Sequence, residues 1–525
     1  MGPAGPAAAG GATGEPRFSV GVACDSSADF SGGGKLPLLF DSRMVNQKMT
    51  RRTFFASTAA AAIPAWSAPI DIGSRRELFV DRHLIETMRG ASLRLASPVD
   101  MGSVLKLDRP WEGRFCGYAT VIKDDGTYHM YYRGVPNSGQ DGRNEEVTCY
   151  AESRDGVHFT RPDLGFYEIH GTKKNNVIVA DSPPLQHNFC PMLDARPGVA
   201  GNQRYKALGG TRKSGLVAFQ SADGVRWSKM REAPVMTDGA FDSQNLAFWS
   251  ESEGRYVCYY RTFKDVGGQR YRWISRATSD DFLNWSKGEE MTFGDTPPEH
   301  LYTNQTSPYF RAPHIYISIC ARFMPNRQVL SDEEAKAVNV DPGYFKDCSD
   351  AVLVTSRGGT QYDRTFMDAF LRPGLGLQNW VSRSNYPGLN IVPLSDSEMS
   401  FYVIRNYGQP TIYLGRYSLR PDGFASIHAP YGGGEVVTRP MRFAGSRLLL
   451  NFATSAPGGV RVEVQDEGGT AIPGLTMDDA VELVGDQVER AVRWKQGSDL
   501  ARVAGKNVRL RFRLKDADVY AMRFA

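Results

Sequence analysis

Three carboxylates stand just ahead of apolar strand patterns: Glu112 in Trp111-Glu112-Gly113-Arg114, Asp242 in Phe241-Asp242-Ser243-Gln244-Asn245, and Glu299 in Glu299-His300-Leu301-Tyr302-Thr303-Asn304. Two carboxyl groups flanking a glycosidic bond can divide the work of hydrolysis. One protonates the leaving oxygen, and the other activates water or attacks the sugar carbon. Four arginines, Arg133, Arg261, Arg322 and Arg405, close aromatic strand patterns in the same stretch. They have two readings: partners that neutralise the acids and lower their pKa, or guanidinium forks for an anionic group on a substrate. Their recurrence in four places favours the structural reading, with one or two recruited for binding. Trp111, Tyr118 and Tyr302 offer flat faces for sugar rings, although aromatic strand residues more often pack in cores. Arg114, Asn245 and Asn304 complete the expected substrate-binding set. The seven cysteines form no CxxC pair and none sits beside His at zinc spacing, and no ligand run supports calcium. Neither a metal nor a cofactor is expected.

Residues so far apart need a repeating scaffold, and the middle of the chain repeats. Each unit has an apolar strand, a polar turn, an aromatic strand often ending in Arg, and a third strand closed by a Ser/Thr-x-Asp turn before an aromatic. Copy one runs from Cys116 to Phe159, with turns at Asp124-Asp125-Gly126 and Arg154-Asp155-Gly156. Copy two holds Arg204–Leu208, Gly215–Phe219 and Ser221–Trp227, and copy three holds Leu246–Trp249, Tyr256–Arg261 and Ser279–Trp285. The fourth has Ile315–Cys320, Ala351–Thr355 and Ser356–Tyr362, and the fifth Phe401–Arg405, Thr411–Leu414 and Arg420–Phe424. Alternating aromatic and β-branched residues with Asp-Gly turns make hairpins, and a four-stranded unit repeated about five times predicts a five-bladed β-propeller over 70–430. Beyond Gly432-Gly433-Gly434, read as a linker, strands alternate apolar and charged residues and predict a C-terminal β-sandwich over 431–525. The fold class is all-β. In a propeller, residues just before first strands and just after second strands share one face, while the Asp turns lie on the other. That sorting puts Glu112, Asp242, Glu299 and the four arginines around one axial pocket.

Residues 1–48 are rich in Gly, Ala, Ser and Pro, and we read them as an extension outside the fold. Met49 opens Thr50-Arg51-Arg52-Thr53-Phe54-Phe55 and a small apolar run ending near Ala65-Trp66-Ser67. The segment 49–67 resembles a twin-arginine export signal, with cleavage after Ser67 and a destination in the periplasm or outside the cell. Its apolar run is too short for a permanent membrane span. A net charge of +4 without a basic stripe argues against a nucleic-acid partner. The cysteines fall mostly in strand patterns, where they act as small buried hydrophobes.

A five-bladed propeller followed by a β-sandwich resembles the group of glycoside hydrolase families 32 and 43. Ser279-Asp280-Asp281-Phe282-Leu283-Asn284-Trp285 is similar to a Ser-x-Asp-Leu-x-x-Trp turn of those propellers, and Glu77-Leu78-Phe79-Val80-Asp81 resembles the opening of an exported family-32-like set. The Trp-x-Asn-Asp-Pro-Asn-Gly, Arg-Asp-Pro and Glu-Cys stretches of family 32 are absent, so activity on fructans is not supported. The resemblance implies a glycosidase with a carbohydrate partner, Glu112 as base or nucleophile, Asp242 orienting substrate or supporting the transition state, and Glu299 as general acid. The alternatives are a carbohydrate-binding propeller without catalysis, a sialidase-like enzyme suggested by the Asp-box-like turn at 221–227, and a polysaccharide lyase using His300 and Tyr302.

Overall fold

Short antiparallel strands follow from the alternation of aromatic and β-branched residues. The computed structural model, which describes residues 68–525, arranges them in five small sheets and one ten-stranded sheet. The small sheets are propeller blades. Blade 1 comprises Gly117–Asp124, Thr127–Gly134, Val147–Ser153 and Val177–Val179. Blade 2 comprises Cys190–Leu193, Tyr205–Thr211, Gly215–Ser221 and Ser228–Lys229, so Tyr205–Thr211 is its second strand and Cys190–Leu193 the unforeseen first. Blade 3 is Leu246–Ser250, Arg255–Val266, Gln269–Ser279 and Glu289–Glu290. Blade 4 pairs Leu301–Thr303 and Thr306–Tyr309 with Ala312–Met324, and that strand with Cys348–Ser356. In blade 5, Tyr386–Pro387 and Val392–Pro393 pair with Met399–Arg405, which pairs with Tyr413–Leu419. Its outer strand, Val99–Lys106, comes from the start of the fold and closes the ring against Tyr413–Leu419.

Three blades close on one turn chemistry. The Oγ atoms of Ser153, Ser221 and Ser279 each accept the N–H three residues on at 2.9 Å and donate to the Asp two residues on. Asp155, Asp223 and Asp281 in turn accept two backbone N–H groups each at 2.7 to 2.9 Å. These aspartates are turn formers. The residue after each is left-handed: Gly156, Gly224 and, unusually, Phe282 at φ 69. The ring of Phe282 compensates by packing against Tyr256 and Trp285. Blades 4 and 5 depart from this pattern. Arg357, after Ser356, reaches instead to Glu77 and Asp81, and Asp422 of the fifth turn is a buried anchor for Arg76 and Arg311.

The second domain is built from both ends of the described chain. Ile70–Gly73, Glu77–Leu78, Ile85–Arg89 and Ser92–Leu95 all pair with C-terminal strands, and Ala425–Ala429 joins the same sheet. The propeller therefore does not begin at residue 70, nor does the second domain begin at 431. The alternating pattern over 70–95 suits either sheet, and the partner that decides is more than 300 residues away. The alternating stretches at 447–452 and 460–464 lie in one strand, Leu448–Asp466, and those at 507–513 and 520–524 in another, Val508–Phe524. Their pairing shifts register twice along the first of them, between Asn451 and Phe452 and between Thr454 and Gly459. They flank a core holding Phe452, Val462, Trp494, Phe512 and Phe524. The glycine run at 432–434 is a close crossing rather than a linker: a Cβ on Gly434 would stand 2.6 Å from the Gly90 carbonyl.

Glu77–Asp81 joins the two domains by alternation. Phe79 enters the sandwich core, while Leu78 and Val80 enter a propeller core with Tyr309, Ile317 and Phe401. Glu77, buried, accepts from Arg357 at 2.8 Å and pairs with His314 at 3.0 Å. The six cysteines of the described residues are buried and free, and no helix among them is long and apolar enough to cross a membrane.

Candidate axial site

Each blade enters its innermost strand region through a non-glycine residue in the left-handed region: Tyr118 (φ 51), Asn188 (φ 51), Phe241 (φ 50), Gln305 (φ 47) and Asn385 (φ 64). Such a backbone costs energy and persists only where surrounding contacts hold it. Arginines supply several of those contacts. Arg133 donates to Asn188 Oδ1 and to the Phe115 carbonyl, both at 3.3 Å. Arg261 donates to the Tyr302 carbonyl, and Arg405 to Asn385 Oδ1 (2.5 Å) and the Pro373 carbonyl (2.7 Å). The structural reading therefore holds for Arg405. It also holds for Arg322, which grips Asp350 through two bonds and Glu299 through a third.

Arg133 and Arg261 additionally face acids that remain open to solvent. Arg133 Nη1 lies 2.9 Å from Asp141, whose side chain is 46 % exposed, and Arg261 Nη1 lies 4.0 Å from Asp242, 61 % exposed. Arg133 stacks over Tyr118 at 4.7 Å and Arg261 over Tyr302 at 4.3 Å. Burial pushes the Asp141 carboxyl up, but Arg133, His187 and Arg383 outweigh it and hold the group below the usual range. Burial raises the Tyr118 phenol well above its usual value; Tyr302 and Asp242 add to that, against Arg133 and Arg383.

Behind Asp141 lies a buried relay. Glu146 bonds His187 Nδ1 at 2.9 and 3.1 Å. Arg133 takes Asn188 Oδ1, so the Asn188 amide donates to His187 Nε2 (2.9 Å) and to the Ser243 carbonyl (3.0 Å). His187 Nε2 thus accepts, and the proton on Nδ1 is donated to Glu146. The ligand-type atoms of Asp141, Glu146 and His187 lie within 4.8 Å of one another, a grouping that short-range spacing does not reveal. They are already engaged with one another and with Arg133 and Asn188.

Of the three expected acids only Asp242 opens onto this mouth. Glu112 is 0 % exposed, accepting from Arg161 at 2.7 and 2.9 Å, from Tyr132 at 2.7 Å and from the Arg109 N–H at 2.9 Å. Its residue type and position ahead of the strand suited catalysis, but its side chain turns into the blade and meets a guanidinium. Trp111 is buried with its indole N–H on Asn176. Asn245 and Asn304 are buried and bonded locally, and Arg114 is half-buried. Tyr302 is buried beneath the arginines. Glu299 pairs with Arg322 and Arg364 off the axis. There it lines a concavity of about 990 Å³, together with Tyr271, His300, Asp350 and Trp380. That groove meets the mouth through the ring contacts Tyr271–His300, His300–Phe323 and Phe323–Tyr302. His300 Nδ1 accepts the Arg272 backbone N–H at 3.2 Å. Burial, with Arg272 and Arg261, lowers its pKa.

Asp141, Glu146, His187 and Arg383 are the functional-site candidates that sequence reasoning missed. His187-Asn188 precedes the first strand of blade 2 and Arg383 that of blade 5, the same position that singled out Asp242. Asp141 and Glu146 lie in the loop that follows Arg133.

No protein-family model matches the chain, and no curated protein matches it. Among solved structures, the chain is similar to a glycoside hydrolase at 8% identity and TM-score 0.41, covering 62% of this chain and 92% of that one. It is similar to an N-acetylgalactosamine deacetylase from F. plautii at 14% identity and TM-score 0.39, covering 63% and 96%. A fructofuranosidase from Schwanniomyces occidentalis, complexed with fructosylnystose, matches at 10% identity and TM-score 0.36, covering 82% and 99%.

Proposed function

We propose that the protein is a glycoside hydrolase whose chemistry takes place at the axial mouth. One observation carries this reading: Asp141 and Asp242 are solvent-open carboxylates, the first bonded by Arg133 and the second facing Arg261 at 4.0 Å, and each arginine also stacks on a tyrosine of the mouth. Asp141, kept ionised by Arg133, is the base or nucleophile, and Asp242 is the acid that protonates the leaving oxygen. Tyr118 and Tyr302, with the arginines over them, form the floor on which the sugar rests. Residues 49–67, outside the described residues, belong to the same reading as an export leader, which puts the enzyme where polymeric glycans are met.

The test is a polysaccharide and oligosaccharide panel with product analysis, using the wild type, Asp141→Asn and Asp242→Asn. Each substitution is expected to lower turnover at least about 100-fold while melting stays close to wild type, because both side chains are exposed. Near-wild-type turnover in both variants refutes the assignment. The ion pairs that consume Glu112 and Glu299 favour a second reading, a glycan-binding propeller without catalysis. Binding without turnover across the panel would establish that one.

A further inference from the structure

The mouth carries more guanidinium groups than carboxylates to match them. Arg261, Arg272 and Arg383 approach the ring of Tyr302 at 4.3, 5.0 and 5.6 Å, and Arg133 lies over Tyr118. Asp141 serves Arg133 and Asp242 serves Arg261. Among the described residues, no carboxylate lies within ion-pair distance of Arg272 or Arg383. The hydrogen bonds of the Arg383 side chain are long ones, to Tyr344 Oη at 3.5 Å and Tyr407 Oη at 3.4 Å. Several donors around it are buried without an acceptor: Arg272 Nε, Arg261 Nη1 and the Tyr386 hydroxyl. Arg383 and Tyr386 line one small cavity together with Tyr118, Arg133 and Tyr407.

Tyrosine faces offset part of the cost of a desolvated cation, but they accept no N–H bond in the ring plane. Buried donors without acceptors and a cation with no carboxylate at ion-pair distance are both unfavourable, and an oxyanion relieves both. We infer that the mouth takes a glycan bearing an anionic substituent, a carboxylate or a sulfate ester, and that Arg383 is the guanidinium that reads it. The inference rests on the glycosidase reading for the sugar and adds the charge. Arg383 is itself left-handed (φ 61) two residues before Asn385. Its guanidinium is fixed between the rings of Tyr344 and Tyr407 at 5.0 and 5.8 Å, which suits a planar fork to a fixed anion.

The test is calorimetric titration of the full chain with D-glucuronate and D-galacturonate, D-glucose 6-sulfate and D-galactose 6-sulfate, and the neutral parents glucose and galactose. At least one anionic sugar is expected to bind about tenfold or more tighter than its parent, with an advantage that shrinks as salt rises. Uronate or sulfate binding alone identifies the group. Arg383→Gln is expected to bring the preference within about twofold, while Arg383→Lys keeps part of it and shows that the fold survives at that site. Equal binding of neutral parents, no binding of any anionic sugar, or a preference that survives both Arg383→Gln and Arg272→Gln overturns the inference. Turnover of neutral oligosaccharides without anionic preference overturns it and leaves the glycosidase reading standing. Anionic preference without turnover of any panel member does the reverse.

Discussion

Glu112→Gln separates a structural carboxylate from a catalytic one. The substitution keeps the size of the side chain but removes the charge that meets Arg161 through two bonds, in a site of 0 % exposure. Deleting one partner of a buried ion pair costs about 3–5 kcal/mol. Asp108 stands 3.6 Å from Arg161 and is largely exposed, so it recovers a fraction and about 2–3 kcal/mol remains. With about 2 cal/mol/K of unfolding entropy per residue, residues 68–525 unfolding as one unit would melt about 2–3 °C lower. Tyr132→Phe removes the hydroxyl between Glu112 and Asn176 and should act in the same direction by about 1–2 kcal/mol. Scanning calorimetry reads the first quantity. Turnover of the best panel substrate, measured well below the transition, reads the second and should stay within about twofold of wild type. An unchanged melting temperature with turnover down about 100-fold would refute the reasoning, since only a carboxylate in contact with substrate behaves that way.

Three further outcomes are expected. Burial pushes the Glu77 carboxyl up, but His314 and Arg357 outweigh it and hold it at about 2. A depressed native pKa stabilises above the ordinary value near 4.5 and is lost as pH falls towards 2, so about 3 kcal/mol should disappear over that window. Glu77→Gln should flatten the fall, and an unchanged pH profile in that variant would contradict a stabilising role for the Glu77 ion pairs with Arg357 and His314. Asp281→Ala removes the acceptor of two turn N–H groups and should cost about 1–2 kcal/mol in urea unfolding without altering turnover, because the turn lies on the face away from the mouth. N-terminal sequencing of protein recovered from the export compartment should begin just after Ser67; a start upstream of Met49 would rule out the leader.

The blades were legible because their signals are local. The Ser-x-Asp turns repeat within a few residues, and the strand alternation of Thr127–Gly134 or Arg255–Val266 needs no partner to be recognised. Long-range pairing left no such mark: Val99–Lys106 reads as a strand only once Tyr413–Leu419 is beside it, and 70–95 suits either domain. The site was partly legible for the same reason. The rule that gathers residues before first strands found Asp242, and applied to blades 2 and 5 it reaches His187 and Arg383. It failed for Glu112 because strand position fixes which end of the blade a residue occupies, not whether its side chain turns outward. That is decided by Arg161, almost fifty residues away in the chain. Asp141 was missed because its loop carries no periodicity, and only contact with Arg133 places it at the axis.

Ring closure by Val99–Lys106 has a consequence for the order in which the chain acquires its structure. That strand emerges from the ribosome early, and its partner Tyr413–Leu419 follows about 310 residues later. At roughly 5–20 residues per second, the segment waits for some 15–60 s with its hydrogen-bonding edge unpaired. The strands over 70–95 wait longer still, for partners between Ala425 and Phe524. Blades 1 to 3 can form during synthesis, whereas the closed ring and the second domain belong to the finished chain. A stall or cleavage anywhere short of residue 413 therefore leaves an open array with a free edge, a species for chaperones and proteases rather than a partly built propeller that holds its shape.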